Sequence, residues 1–398
     1  MGSYVGGRRR GTSVERRGQW ARAYIPDAIA RRSFSLCEAT VHALDEAALA
    51  IDAFDRAIAL VPNGSALARL FLSVEAVASA RLTGATAAVD RLLRTHADLA
   101  PSAKGRANRV SVALPVLAVI EATTGLEAAF SVDALTRIHT MLFDGSADAD
   151  YGGRLRRQSR RCAGNGALGG FVPPPGEHVG PLLEDLCAFA NRTDVPAVLQ
   201  AAIVYAQFRT IRPFLDGNAR MARALVHAIL RRHGLATRAV VPLSVVFGAD
   251  ANGYESALDD YRFEGDYESG SNAARVNDWI ATFAHALRAA TQRAGTFESA
   301  LAMLVERWET TLGPRRSDAA SVRLIHQLTD RPILTIAEAQ EMLESSKAGA
   351  GNGIAELVEA GILVRGTSHR RQRVFEARDI VDYCEEFVAR SLATGARP

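Results

Sequence analysis

"TIRPFLDGNARMARAL", Thr210 to Leu225, reads as a loop that hands one helix on to the next. Upstream, "VPAVLQAAIVYAQF" (Val195 to Phe208) is apolar nearly all round, and Pro196 sits in its first turn, where proline is tolerated. It reads as a central core helix. Downstream, Ala219 to Arg232 is a second helix. Pro213-Phe214 is suited to pinning the loop between them to the core.

The loop itself, Asp216-Gly217-Asn218-Ala219-Arg220-x-x-Arg223, carries the residue types that a phosphate site needs. A helix start offers free N–H groups and the positive end of the helix dipole. Gly217 lets the backbone take a positive φ or approach a ligand closely. Asp216 is placed to hold Mg²⁺, a hard cation that prefers carboxylate and phosphate oxygens. Arg220 and Arg223, three residues apart, share one helix face, and two guanidinium forks suit a di- or triphosphate. The competing reading is a plain turn followed by surface arginines.

These residues resemble the signature of the Fic family, His-Pro-Phe-x-Asp/Glu-Gly-Asn-Gly-Arg-x-x-Arg. Pro213, Phe214, Asp216, Gly217, Asn218, Arg220 and Arg223 match it. "PAVLQAAIVYAQFRTI" is similar to the helix that leads into the motif, and "GFVPPPGEHVGPLLEDLCAFAN" resembles the family's flap and the helix after it. "VVPLSVVFGADANGYESAL" resembles a segment further on. The resemblance runs from about Tyr24 to Phe387. It implies a mainly α fold: a Fic helical core with a short β-hairpin flap, an N-terminal helical domain and a C-terminal winged helix-turn-helix. It also implies ATP, or another nucleoside triphosphate, bound with Mg²⁺ at Phe214, Gly217, Asn218, Ala219, Arg220 and Arg223, with Asp216 on the metal. In such proteins the motif histidine takes a proton from a target hydroxyl, which attacks the α-phosphorus.

Three positions depart from the pattern. Arg212 stands where the histidine belongs, and a guanidinium has neither a suitable pKa nor a lone pair with which to take a proton. Ala219 replaces a loop glycine, at about 1 kcal/mol if that position needs a positive φ. Ser79-Ala80-Arg81-Leu82-Thr83-Gly84 matches the family's inhibitory Ser/Thr-x-x-x-Glu-Gly/Asn helix except that Thr83 replaces the glutamate. The restraint on Arg223 is thus expected to be missing, and so is removal of AMP.

Two readings follow. In the first, Arg212, Asp216 and Arg223 carry an atypical nucleotidyl transfer to an acceptor that needs no histidine base, such as an anionic small molecule. "GRLRRQSRR" (Gly153 to Arg161), with five arginines, supports an anionic acceptor. In the second, the protein is an inactive pseudo-Fic nucleotide sensor, scaffold or DNA-binding regulator. Glu177, His178 and Tyr205 are the nearest substitute bases in sequence, and each reads more simply as structural.

Linear segmentation gives a basic flexible tail (1–22), an N-terminal helical domain (23–105), the Fic core (106–298), a linker helix (299–320) and a winged helix (321–398). The tail and the first residues after it, Met1 to Arg32, hold eight arginines against Glu15 and Asp27. Over the 398 residues the net charge is only +3, so the molecule as a whole is not an obvious polyanion binder. The candidate recognition helix, "SSKAGAGNGIAEL", has three glycines and one lysine, which argues for packing or homodimerisation ahead of DNA contact, although "SHRRQR" (Ser368 to Arg373) suits a wing tip at phosphates. Cys37, Cys162, Cys187 and Cys384 are scattered, with no zinc spacing, and fit a reducing cytoplasm. No apolar run suggests a secretory leader or a membrane span.

Overall fold

The computed structural model describes residues 13–16, 19–61, 64–96, 113–157, 172–265, 267–366 and 373–393. Its helices are α1 (Glu38–Leu60), α2 (Gly64–Arg81), α3 (Val89–His96), α4 (Ala113–Thr124), α5 (Val132–Thr140), α6 (Gly176–Ala190), α7 (Ala197–Ile211), α8 (Asn218–Arg232), α9 (Leu243–Ala249), α10 (Ala251–Asp260), α11 (Gly270–Leu312), α12 (Ala320–Gln327), α13 (Ile336–Leu343), α14 (Lys347–Glu359) and α15 (Arg378–Ala393). Strands β1 (Ser13–Arg16) and β2 (Gln19–Arg22) pair antiparallel. β3 (Ile333–Thr335), β4 (Val364–Gly366) and β5 (Val374–Glu376) form an antiparallel sheet in the order β3-β5-β4. The protein is mainly helical, in line with its alanine- and leucine-rich sequence.

Two compact units are built from interleaved segments. The first comprises Met1–Ile51, Pro115–Leu235 and Asp250–Arg288. Its axis is α7, where only Ala197 and Arg209 escape full burial. An aromatic cluster of Tyr205, Tyr254, Trp279 and Phe283 packs along that helix, and the Trp279 indole donates to the Ala202 carbonyl (2.9 Å). The stretch before α1 is strapped to the same unit. Asp185 accepts from the Ile29 and Ala30 amides (2.6 and 3.0 Å), and Gln207 donates to the Asp27 carbonyl (2.9 Å).

The second unit comprises Asp52–Leu114, Ala236–Ala249 and Ala289–Pro398. Its core includes Phe54, Phe71 and Phe297 in edge and tilted contact. The fully buried Glu75 accepts from the Ser244 amide (2.8 Å) and hydroxyl (2.6 Å), placing a carboxylate at the start of α9, where the helix dipole favours it. The sheet and α12 to α14 follow the order helix, strand, helix, helix, strand, strand. β3, three residues between Pro332 and a capped helix, leaves no periodic signal in the sequence. Thr335 and Glu338 form the capping box that starts α13. The wing-tip residues Ser368 to Gln372 lie outside the described residues.

Two sequence boundaries shift. α6 begins at Gly176, so Glu177 and His178 stand in its first turn, not in a loop. The glycines and prolines around them masked that start. Helix α11 runs without a break through residues 298 and 299.

Candidate active site

The loop after α7 is held by its own Phe214 and Asn218 and by Arg156 and His139, which lie far from it in sequence. Arg212 ends α7 as its C-cap, at φ 46° and ψ 65°, and its amide donates to the Phe208 carbonyl (2.9 Å). A left-handed conformation at a non-glycine residue costs about 1 kcal/mol or more. Arg156 offsets it. This buried guanidinium donates from Nε to the Arg212 carbonyl (2.6 Å) and from Nη2 to the Ile211 carbonyl (2.9 Å), and the Arg156 amide donates to the Pro213 carbonyl (2.9 Å). A cation at a helix C-terminus satisfies carbonyls that have no intrahelical partner. Leu155 makes an antiparallel bridge to Phe214, so Leu155 and Arg156, in the arginine-rich run ahead of the expected flap, are sewn to the loop. Residues 158–171, which hold Arg160, Arg161 and the start of the segment expected to form the flap, lie outside the described residues.

Phe214 is fully buried and stacks on His139 with ring centroids 3.6 Å apart and planes 7° from parallel. It therefore has no surface with which to meet a nucleotide, and its assignment to the ligand is corrected to an anchor. The Asn218 side chain holds both main-chain groups of Phe214, accepting from its amide (3.0 Å) and donating to its carbonyl (2.8 Å). What Asn218 offers outward is thus its main-chain N–H, not its amide side chain.

Gly217, the N-cap of α8, has φ 78° and ψ −4°. The amides of Asn218, Ala219 and Arg220 follow in the first turn, where no intrahelical acceptor exists. Ala219 is helical and absent from the positive-φ residues, so the loss of that glycine carries no backbone strain. The Asp216 carboxylate is 64% exposed, with Oδ1 accepting from the Gly217 amide (2.6 Å) and Oδ2 paired with Arg220 Nη2 (3.0 Å). The Arg220 guanidinium is buried 5.4 Å from the Phe143 ring centroid, and its Nε has no partner among the described residues. Arg223 is also buried, one turn further along.

A model of the Fic/DOC family matches residues 129–230, which span this entire constellation from before α5 to the end of α8. Residues 129–230 are a Fic/DOC family domain. Over 107 residues, 26% of this chain and 20% of that protein's length, the sequence is 30% identical to protein adenylyltransferase fic-1 of Caenorhabditis elegans. The chain thus spans about a fifth of that curated relative. A Fic family protein of Desulfovibrio desulfuricans G20 has a similar fold, with a TM-score of 0.56 at 19% identity, covering 86% of this chain and 97% of the other.

Several arginines gather around the Fic/DOC motif. Arg209 pairs with Glu255 (2.7 and 2.9 Å) and donates to the Tyr205 hydroxyl (2.9 Å). Burial pushes the Glu255 carboxyl up, but Arg209, then Arg262 and Arg223, outweigh it and hold the group below its ordinary value. Arg262 bonds the Thr210 hydroxyl (3.1 Å) and pairs with Asp259. Burial lowers its pKa first, and the like charges of Arg209 and Arg212 add to this. Arg209, Arg262 and Arg223 thus act on Glu255, and Arg209 and Arg212 on Arg262, so positive charge is concentrated beside the loop.

Of the substitute bases, Glu177 and His178 stand in the first turn of α6. Tyr205 is buried in the core with its hydroxyl on Arg209. His233 contacts Gln200 (2.8 Å) beyond the far end of α8. His139 has both ring nitrogens engaged. Among the described residues no group of three or more His, Cys, Asp or Glu could cage a metal. A single exposed carboxylate with free lone pairs fits Mg²⁺ that arrives with phosphate oxygens, the usual mode for that ion. The orphaned Arg220 Nε and the open amides of α8 fit the phosphates themselves.

Sequence reasoning missed His139 and Glu255, and it read Arg156 as one of five arginines for an anionic acceptor, whereas its buried guanidinium holds the end of α7. His139 lies 77 residues before Asp216 and Arg156 lies 56 before Arg212, so no local spacing links either to the motif.

Proposed function

We propose that this protein is an atypical Fic-type transferase, which binds a nucleoside triphosphate with Mg²⁺ and passes the nucleotidyl group to an acceptor that is already an anion. The observation that carries this reading is a glycine N-cap with buried Arg220 and Arg223 on the helix that follows, beside Arg212, a residue type that can bond an anion but cannot take a proton. Fic family members transfer AMP or other groups. A hydroxyl acceptor needs a base, whereas a carboxylate or phosphate at neutral pH does not. Its oxygen forms a bond to the α-phosphorus, the bond from that phosphorus to the bridging oxygen breaks, and pyrophosphate leaves with the electron pair. No proton changes hands.

The chain's own residues bind and orient. The α8 amides, Arg220 and Arg223 hold phosphates, and Asp216 holds the metal, whose chemistry is to neutralise phosphate charge. Arg212 holds the acceptor near the α-phosphorus and offsets charge as the bond forms. The acceptor is a small molecule or a group on a protein.

The second reading is an inactive nucleotide-binding protein that reports through a C-terminal winged helix. It is favoured by the lack of a free base among the described site residues. Incubation of α-labelled nucleotide with carboxylate and phosphate acceptors separates the two. Pyrophosphate with a labelled mixed anhydride supports transfer, and tight binding with no product supports the sensor. If Arg212→His gains transfer to hydroxyls while transfer to anions is unchanged, Arg212 has no role in holding the acceptor.

A further inference from the structure

His139 is fully buried in α5, yet neither of its ring nitrogens is idle. Nε2 lies 3.0 Å from the Asp216 carbonyl, and Nδ1 lies 3.0 Å from the Gly153 amide. A carbonyl can only accept and an amide N–H can only donate, so the ring must be neutral, with its proton on Nε2. Its face covers Phe214, and its Nε2 fills the space where a Cβ on Gly217 would stand, 2.8 Å away. Gly153 is fixed in turn, with φ +68° and its own Cβ position 2.7 Å from Thr140 Oγ1 and 2.9 Å from the Thr136 carbonyl oxygen. Asp216 and Arg220 are the charged groups that act on the ring.

One imidazole therefore touches three parts of the site: the peptide that joins Asp216 to Gly217, the motif aromatic, and Gly153 just ahead of the arginine-rich segment. The orientation of the 216–217 peptide sets where the Asp216 carboxylate points and how the first amides of α8 are presented.

We propose that His139 is a positioning residue for phosphate and metal binding, a neutral clamp that sets the Asp216–Gly217 peptide and couples it to the flap base at Gly153. The inference rests on the nucleotide-binding reading. The clamp makes no contact with the nucleotide. It works through the peptide it holds, as outer partners of metal sites do.

The test compares His139→Phe and His139→Gln. Phenylalanine keeps the flat face on Phe214 and loses both hydrogen bonds. Glutamine presents one donor and one acceptor at a similar separation. Thermal unfolding establishes that each variant folds, amide exchange reads the loop, and calorimetry with ATP reads binding with Mg²⁺ and with EDTA. In His139→Phe, exchange is expected to rise at Gly153 and at residues 217–220, and Mg²⁺-ATP binding to weaken about 10- to 100-fold. Metal-free ATP binding should weaken less, and His139→Gln should restore both readouts. If wild type binds and folded His139→Phe binds equally well, the clamp is overturned while the nucleotide reading stands. If exchange is unchanged, or if glutamine fails to restore binding, the positioning role is overturned too. No binding by wild type overturns the nucleotide reading and takes this proposal with it.

Discussion

The Gly217→Ala substitution separates two physical demands on the loop. At φ +78° the backbone is left-handed, which costs an alanine about 1–2 kcal/mol. The new methyl would also lie 2.8 Å from His139 Nε2 and 2.8 Å from Leu142 Cδ1, both in a packed interior. Overpacking of that kind costs about 1–3 kcal/mol. The sum is about 2–5 kcal/mol. Gly145→Ala is the matched control, because Gly145 has φ +67° with nothing within 4 Å of its Cβ position, and so meets only the backbone cost. Thermal unfolding of the two variants is the assay. For domains of this size each kcal/mol moves the midpoint by about 2–4 °C. Gly217→Ala is expected to shift the midpoint by about 1.5 to 4 times the Gly145→Ala shift and to weaken nucleotide binding, whereas Gly145→Ala leaves binding intact. Equal shifts for the two variants would refute the close packing of His139 and Leu142 against this glycine.

Other expectations concern charge and capping. Burial pushes the His139 imidazole down from 6.5 to about 4, so between those values the unfolded chain carries one more proton than the folded one. Its contribution to stability is complete above pH 6.5 and falls by about 3 kcal/mol as the pH drops to 4. Urea unfolding at pH 7 and pH 4.5 should show this loss in wild type and a smaller one in His139→Gln. Arg156→Ala removes two charge-assisted hydrogen bonds to the end of α7 and should lower stability by about 3 kcal/mol, measured by denaturant unfolding; Arg156→Lys, lacking the fork, should recover less than half. Glu75→Ala uncaps α9 and leaves the Ser244 amide and hydroxyl without their acceptor, at about 2 kcal/mol in the same assay.

Much of the fold could be read from local sequence because its signals are local. The apolar run to Phe208, the Pro213-Phe214 break and the arginine-spaced helix after Gly217 place α7, the loop and α8 within a few residues of their observed ends. The start of α6 was obscured because Gly176 and Gly180 flank it, although Pro175 at the N-cap is a helix-start signal of its own. The residues that shape the loop were harder to see. Asn218 is a motif residue by sequence, but only the structure shows that its side chain serves Phe214. Arg156 and His139 act on the loop through main-chain atoms, and main-chain atoms leave no mark on the sequence that recruits them. The conformation of Ala219 was equally silent, because alanine is compatible with a helix start and says nothing about a glycine that is absent.

The central claim is that the phosphate grip is functional although the histidine position is not. Titration calorimetry of ATP, GTP, UTP and CTP with Mg²⁺, on wild type and on Arg223→Ala, tests it directly. The account predicts that at least one nucleotide binds wild type and that Arg223→Ala, shown to be folded by its unfolding midpoint, loses that binding. No binding of any nucleotide to wild type, or equal binding to both proteins, would contradict it.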